Sequence, residues 1–239
     1  MISILIPIYN FDSRALIKAL HSQVVASGKD CEIIVADDAS CECRSEIDEI
    51  SRLPYVRFFR FSENQGRSKI RNFLASKALR QYLLFIDCDA EVCSDRYLQN
   101  YIDTLKPGIC CSGGIAPYPY YVSQEYALNY IYNKNIEVKH HTNGTLTTFN
   151  FLIDKSIFDK CQFNEKIIRY GHEDTLLAIG IRGYAQITFI SNSLIHRHLN
   201  TNKEFIAKNE LACESLPLIK SIISDDIMRK NFRLRNAYS

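Results

Sequence analysis

The chain has 239 residues, of which 46% are hydrophobic and 23% are charged, as in ordinary folded domains. Its 29 basic and 27 acidic side chains give a formal net charge of +2, so the composition favours no nucleic-acid partner. The length predicts one large domain, with or without a small appendage, and no run approaches the roughly 20 apolar residues that span a bilayer.

The cysteines and the first residues bear on the compartment. Met1–Asn10 is a short apolar run without the basic leader or cleavage site of a secreted protein. The nine cysteines are therefore expected to be reduced thiols in a cytoplasmic protein, mostly as small core residues. Structural zinc is a less favoured alternative, because Cys41-x-Cys43 and Cys110-Cys111 lack the paired C-x-x-C spacing.

The first half of the chain alternates short apolar runs with segments of helical periodicity. The predicted strands are Ile2–Ile8, Cys31–Asp37, Val56–Ser62 and Tyr82–Asp87. The predicted helices are Arg14–Val25, with Asp12 or Ser13 as its N-cap, Cys43–Leu53 and Gly66–Leu79. Near-continuous apolar strands separated by helices predict an α/β fold with a mostly parallel, Rossmann-like sheet flanked by helices.

The second half is less regular. The predicted helices are Ser94–Leu105, Ser123–Asn133 and Glu173–Ile181, and the predicted strands are Gly108–Ile115, Thr145–Ile153 and Ala185–Ile190. From Asn202 onward the pattern predicts a helical tail of mixed charge. We expect a main domain over residues 1–200 and the tail over residues 201–239, with no repeat or linker between them.

Polar clusters follow three of the predicted strands. The clusters are Asp37-Asp38 after the second strand, Asn64-Gln65-Gly66 after the third, and Asp87 with Asp89 after the fourth. The carboxyl ends of parallel strands share one edge of a sheet, and ligands bind outside that edge. The three clusters therefore predict a binding site there.

Asp87 and Asp89 form a D-x-D pair. If the strand continued through Asp89, both carboxylates would face the same point, because side chains i and i+2 of a strand share a face. Two such carboxylates repel each other unless a cation intervenes, and a divalent cation with phosphate oxygens is a natural partner. The alternative is a strand-end turn with two solvated acids.

Basic residues follow the third strand. Arg67 and Arg71 lie one helical turn apart beside Gly66 and a helix N-terminus, a combination that suits a diphosphate. The alternative is a solvated basic helix face. Asp38 could accept hydrogen bonds from a base or a ribose, or it could cap a helix that begins near Ser40.

Two further clusters lie downstream. Glu173-Asp174 falls at a predicted helix start, where it could supply a general base in a cleft or simply stabilise the helix dipole. His196 and His198 alternate along a strand-like run. One of them could bind the same metal, or both could be structural.

Five motifs, taken in order, resemble one known family. They are "SILIPIYN", "IIVADDAS", "NQGRSKIRN", "FIDCDA" and "GHEDTLL". They resemble the inverting family-2 glycosyltransferases of the GT-A fold, over Met1–Leu199. The form Y-G-x-E-D, preceded by "TTFNFLI", resembles the branch of galactosyl- and N-acetylgalactosaminyltransferases and polysaccharide polymerases. The resemblance implies a nucleotide-binding half over residues 1–92 and an acceptor-binding half over residues 93–200.

The resemblance also implies a role for each site residue. The nucleotide-sugar, a UDP-sugar, would contact Pro7, Tyr9, Asp38, Asn64, Gly66, Arg67, Arg71, Asp87 and Cys88. A Mn²⁺ or Mg²⁺ ion would bind Asp89, with Asp87 and with His196 or His198 as further ligands. Asp174 would be the catalytic base, and Glu173 would orient the acceptor.

The resemblance implies transfer of one sugar to a hydroxyl of a saccharide or lipid-linked acceptor, in surface polysaccharide synthesis. Ala39 departs from the pattern, since glycine is common there, and the second domain of the polymerases is not expected. The main alternative is an inactive sugar-nucleotide-binding module. A phosphohydrolase or nucleotidyltransferase fits less well, because D-x-D follows the fourth strand and no glycine-rich basic loop follows the first.

The end of the tail mixes basic and apolar residues. Lys220–Arg235 could form an amphipathic helix that lies on an anionic membrane surface, where lipid-linked acceptors are found. The favoured alternative is a helix packed against the catalytic domain.

Overall fold

The structure, a computed structural model, describes residues 1–139, 146–168 and 170–224. Its centre is a sheet of seven strands in the spatial order β3-β2-β1-β4-β7-β6-β8. Those strands are β1 (Ile2–Ile8), β2 (Cys31–Asp37), β3 (Val56–Arg60), β4 (Tyr82–Ile86), β6 (Cys110–Ser112), β7 (Asn150–Asp154) and β8 (Ile187–Phe189). Strand β7 runs antiparallel to its two neighbours, and the other pairings in this sheet are parallel.

Helices cover both faces of this sheet. They are α1 (Arg14–Ser27), α2 (Arg44–Ile50), α3 (Arg67–Lys77), α4 (Tyr97–Ile102), α5 (Ala127–Asn135), α6 (Lys155–Cys161), α7 (Glu173–Ile181), α8 (Asn202–Glu214) and α9 (Leu216–Ile222), with a 3₁₀ turn at Gln124–Tyr126. One core packs α1, α2 and α4 against the face that carries Ile4 and Ile33. A second core packs α3, α6 and α7 against the face that carries Leu5 and Ile34. The predicted α/β fold is confirmed.

A small second sheet extends the molecule beyond β4. Strand β5 (Ala90–Glu91) pairs antiparallel with β9 (Ile195–His196). The chain between β4 and β5 turns, because the amide of Ala90 donates to the carbonyl of Asp87 at 3.2 Å. The strand therefore does not continue through Asp89: β4 ends at Ile86, and the two carboxylates enter the site from a turn.

Other elements differ from prediction mainly at their ends. The helix predicted from Ser94 begins at Tyr97, and the strand predicted over residues 145–153 begins at Asn150, with Thr145 outside the described residues. Ser13 occupies the N-cap position of α1, but its hydroxyl caps no helical amide. Asp12 instead accepts the backbone N–H of Arg14 at 3.1 Å.

A buried polar network holds the irregular half together. The Oδ1 of Asn150, which is fully buried, accepts hydrogen bonds from the hydroxyls of Tyr97 and Tyr101, both at 2.7 Å. Its Nδ2 donates to the carbonyls of Gly114 at 3.0 Å and Asn192 at 2.9 Å. One side chain thus joins α4 to the ends of β6 and β7 and to the segment before β9.

The last described helices pack against the main domain. Helix α8 begins with a capping box: the Thr201 hydroxyl accepts the backbone amide of Glu204, and the Glu204 carboxylate accepts the backbone amide of Thr201. Leu216, Ile219 and Ile223 of the α9 region form a small apolar cluster with Ile167. The amphipathic stretch predicted to reach Arg235 lies outside the described residues beyond Ser224. In the described parts of the chain, no helix is both long and apolar enough to span a bilayer.

Candidate active site

A cavity of about 640 Å³ opens at the carboxyl end of β4, where the two halves of the chain meet. Seven of the predicted site residues line it: Arg67, Asp87, Asp89, Glu173, Asp174, His196 and His198. They come from α3, the β4–β5 turn, the start of α7 and the segment around β9. Residues more than 100 positions apart in sequence therefore share one site.

The second sheet brings Asp89 to His196. The pairing of Ala90 with His196, together with a hydrogen bond from the Arg197 amide to the Asp89 carbonyl at 2.8 Å, aligns the two segments. The Oδ2 of Asp89 then lies 2.9 Å from the Nε2 of His196. Burial opposes both charges, but the imidazole lowers the pKa of Asp89 to about 2. Asp89 in turn holds the pKa of His196 well above its usual value, so without a metal the two form an ion pair.

Two arginines from α3 converge on two carboxylates. The Nη2 of Arg71 donates to the Oδ1 of Asp87 at 2.6 Å, and the Nη1 of Arg71 lies 3.6 Å from the Oε1 of Glu173. The Nη1 of Arg67 lies 3.5 Å from the same Glu173 oxygen, and its guanidinium stacks over the Tyr170 ring. Arg71 is buried, whereas the Arg67 side chain is half exposed at the cavity. Arg67 is therefore the guanidinium that a ligand can reach.

Asp38 stabilises the turn that leads into α3 through hydrogen bonds. Its carboxylate accepts the amides of Gln65 at 2.6 Å and Gly66 at 3.1 Å, and its carbonyl accepts the Asn64 side-chain amide at 3.3 Å. Gly66 has a φ of 82°, which favours glycine. The alternative that Asp38 caps a helix near Ser40 is wrong, since the carboxylate of the neighbouring Asp37 accepts the Ser40 amide.

The turn after β2 keeps the backbone shape that glycine would favour. Ala39 stands there with a φ of 62°, in the left-handed region. This conformation costs an L-residue about 1–2 kcal/mol. The departure from the common motif therefore leaves a strained alanine in the turn.

Several predicted nucleotide-site residues lie beside the cavity rather than in its wall. Of the described residues, the wall does not include Pro7, Tyr9, Asp38, Asn64, Gly66, Arg71 or Cys88. Pro7 lies within β1, and Tyr9 beyond it is 51% exposed. Burial raises the pKa of the Cys88 thiol, so this cysteine stays protonated at neutral pH.

Sequence reasoning missed the contribution of α5 and α8 to the cavity. Glu137, just after α5, places its Oε2 3.9 Å from the Nδ1 of His196. Phe205, Lys208 and Asn209 of α8 also line the wall. Their spacing predicts that they share one face of the helix, but the local sequence does not indicate whether that face covers a core or a cavity.

The two carboxylates and the imidazole supply oxygen and nitrogen donors, which suit Mn²⁺ or Mg²⁺. Among the described residues, no group of three or more His, Cys, Asp or Glu side chains forms a ready-made metal centre. Asp89 and His196 already face each other, and Asp87 and His198 line the same cavity. The donor set therefore suits a divalent cation, which Asp89 and His196 would hold once the pair gives up its proton.

The mostly parallel sheet, flanked by helices and with a cavity at its carboxyl edge, matches the fold of GT-A glycosyltransferases. Residues 3–164 match the family model described as Glycosyl transferase family 2. The chain belongs to that family.

Curated relatives match part of this chain. Glycosyltransferase GlyA of Streptococcus pneumoniae serotype 4 is 31% identical over 105 residues, which are 44% of this chain and 14% of that protein. An uncharacterized glycosyltransferase of Rickettsia felis is 33% identical over 89 residues, which are 37% of this chain and 14% of that protein. The matched segments thus span a small part of these relatives.

Solved structures show the same fold at low identity. Residues 1–349 of S. aureus TarS match with a TM-score of 0.59 and 16% identity, over 90% of this chain and 65% of that one. The mannosyltransferase PcManGT from Pyrobaculum calidifontis, solved with GDP-Man and Mn²⁺, matches with a TM-score of 0.60 and 17% identity, over 82% of this chain and 56% of that one. TarS has also been solved with UDP-GlcNAc.

Proposed function

We propose that this chain is a metal-dependent, inverting glycosyltransferase that moves one sugar from a UDP-sugar to a hydroxyl of a saccharide or lipid-linked acceptor. One observation carries the proposal: the Asp89–His196 pair, Arg67 and Asp174 line a single cavity. This cavity combines donors for a cation, a positive charge for phosphate and a carboxylate that can take a proton.

The donor is expected on the α3 side of the cavity. Arg67 is half exposed there, so its positive charge can face a bound diphosphate, whereas the buried Arg71 pairs with Asp87 and Glu173. Glu173, which contacts both guanidiniums, holds them in place. This role differs from the acceptor-orienting role expected from the family resemblance. The nucleotide-sugars bound by TarS and PcManGT support a donor of this chemical class.

Asp89 and His196 would hold the Mn²⁺ or Mg²⁺, with Asp87 and His198 within the same cavity. The bound cation would supply positive charge for the diphosphate. The side chains contribute the donor atoms, and the β5–β9 pairing keeps Asp89 and His196 at the same point. The Mn²⁺ in PcManGT supports a divalent ion here.

Asp174 is the better base of the two adjacent acids. Glu173 is buried and its carboxylate is occupied by contacts to two arginines, whereas Asp174 lies half-buried in the cavity wall. The acceptor oxygen attacks the anomeric carbon as the bond from that carbon to the UDP oxygen breaks. The electron pair leaves with UDP, and Asp174 takes the hydroxyl proton. A single displacement inverts the anomeric configuration.

The proposed class of sugar, the biosynthetic role and the location of the protein follow from the family resemblance. The Y-G-x-E-D form at Tyr170–Asp174 supports a hexosyl- or N-acetylhexosaminyltransferase, in surface polysaccharide synthesis on the cytoplasmic side of a membrane. The amphipathic stretch predicted from Lys220 would provide any peripheral membrane contact.

The proposal is tested by measuring UDP release from a panel of UDP-sugars, with and without Mn²⁺ and with simple saccharide acceptors. We expect Mn²⁺-dependent release from one sugar, and NMR of the product should show the inverted anomer. Retention of configuration would overturn the inverting mechanism. UDP binding without release under any condition would favour the alternative, an inactive sugar-nucleotide-binding module.

A further inference from the structure

Helix α8 runs along the cavity rather than into a core. None of its residues is buried. Phe205, Lys208, Asn209 and Ala212 nevertheless line the cavity, and their spacing puts them on one face of the helix. A helix whose inner face meets open space gains little from apolar burial. Its position is therefore set by a ring contact of Phe205 with Tyr132 of α5 and by contacts near its ends.

Two contacts fix α8 against the loop that carries the catalytic acids. Gly171 lies so close to the helix that a Cβ built on it would be 2.7 Å from the Cβ of Ala212. The hydroxyl of Ser215, just after α8, donates to the carbonyl of Tyr170 at 3.1 Å. The helix therefore stays beside the loop that carries Glu173 and Asp174. Its side chains Lys208 and Asn209 line the same cavity as these two acids.

Lys208 is the basic residue on this inner face. It is half-buried, and within the described parts of the chain its ammonium forms neither a hydrogen bond nor a salt bridge. Burial and the charge of Arg67 lower the pKa of Lys208, while Asp89 opposes the shift. Lys208 and Arg67 thus bring two positive charges to the wall of the same cavity. An anion bound there would be attracted by both.

We propose that Lys208 binds the diphosphate of the sugar nucleotide together with Arg67, which lines the same cavity. The inference rests on the proposed function, because it takes the nucleoside diphosphate as the anion. Three observations carry it: the shared cavity, the unpaired ammonium within the described residues, and the docking of α8 on the catalytic loop. The tail helix is then part of the donor site.

The test is calorimetric titration of UDP, with GDP in parallel, in the presence of Mn²⁺. Loss of a charge-assisted hydrogen bond predicts that Lys208→Ala weakens UDP binding by about 10- to 100-fold. Lys208→Arg should restore most of that affinity. Lys203→Ala is the matched control, since Lys203 is an exposed lysine of the same helix outside the cavity wall. Uridine, which lacks phosphate, should bind wild type and Lys208→Ala alike.

Each other outcome contradicts the proposal in a distinct way. Unchanged UDP affinity in Lys208→Ala would overturn the role of Lys208 and leave the glycosyltransferase proposal intact. Equal loss of UDP and uridine binding would show that the substitution displaces α8, so that Lys208 has only a structural role. Absence of UDP and GDP binding in the wild-type chain would overturn both the proposed function and this inference.

Discussion

The two halves of the chain reach the same cavity by different means. In residues 1–92, parallel strands of buried apolar residues end at one edge, and the acids follow directly from the strand ends. In residues 93–224, strands are short and Asn150 ties the elements together through buried hydrogen bonds. A parallel sheet thus positions its site residues through regular packing, whereas the irregular half depends on a few specific polar contacts.

The largest effect is expected at Asp174, the proposed base, which lies in the irregular half. Asp174→Asn removes proton acceptance while preserving shape, and transfer should fall by about 1000-fold with UDP affinity retained. Steady-state UDP release measures the change. Asp159→Asn, at an exposed acid of α6, is the control and should behave as wild type. Near-normal turnover in Asp174→Asn would contradict the proposal that Asp174 is the catalytic base.

The next effect is expected at Asp89, the acid that the regular half contributes to the pair with His196. Asp89→Ala removes a proposed metal ligand, so transfer should fall by about 100-fold and Mn²⁺ should no longer strengthen UDP binding. Titration of UDP at several Mn²⁺ concentrations checks both effects. Asp103→Ala provides an exposed control. A Mn²⁺ dependence that survives in Asp89→Ala would place the metal elsewhere.

Breaking the polar network of the second half should destabilise the protein about as much as creating a cavity in the apolar core of the first half. Asn150→Leu leaves two tyrosine hydroxyls and two carbonyls without their partner, which should lower the free energy of unfolding by about 3 kcal/mol or more. Leu84→Ala in the apolar core of β4 should cost about 2–5 kcal/mol through its cavity. Urea denaturation measures both. A loss below about 1 kcal/mol for Asn150→Leu would contradict the idea that this network holds the second half.

The smallest effect is expected in the turn after β2. Ala39→Gly should raise the free energy of unfolding by about 0.5–1 kcal/mol, since relief of the left-handed strain exceeds the added chain entropy of glycine. Gly28→Ala makes the reverse change, because Gly28 has a φ of 58° with open space around it. Urea denaturation of both variants should give shifts of opposite sign. A destabilised Ala39→Gly would show that the turn carries no strain.

Residue patterns predicted the first half well because its signals are local. Apolar runs predicted β1 to β4, and the polar residues after β2, β3 and β4 marked one edge of the sheet. The alternating histidines left open whether His196 or His198 would meet the acids at one metal or be structural, and the family resemblance did not decide between the two histidines. The convergence of Asp89 and His196 depends on the two-residue strands β5 and β9. Such short strands have no periodicity to detect.

The contribution of α8 shows a second limit. The tail was predicted to be helical, and α8 confirms this, but helical spacing cannot tell whether a face covers a core or a cavity. The close packing of Gly171 against Ala212 places this face of α8 at the cavity, and these residues are more than 40 positions apart in sequence. Long-range packing of this kind leaves no pattern in a single sequence.

If both halves form one nucleotide-sugar site, a bound nucleotide should slow hydrogen–deuterium exchange in both of them. Exchange is measured with and without UDP and Mn²⁺. We predict slower exchange at residues 86–91 and at residues 171–176 together, because Asp89 of the first segment and Asp174 of the second line the same cavity. Protection confined to residues 86–91, or absent from both segments, would contradict a shared site.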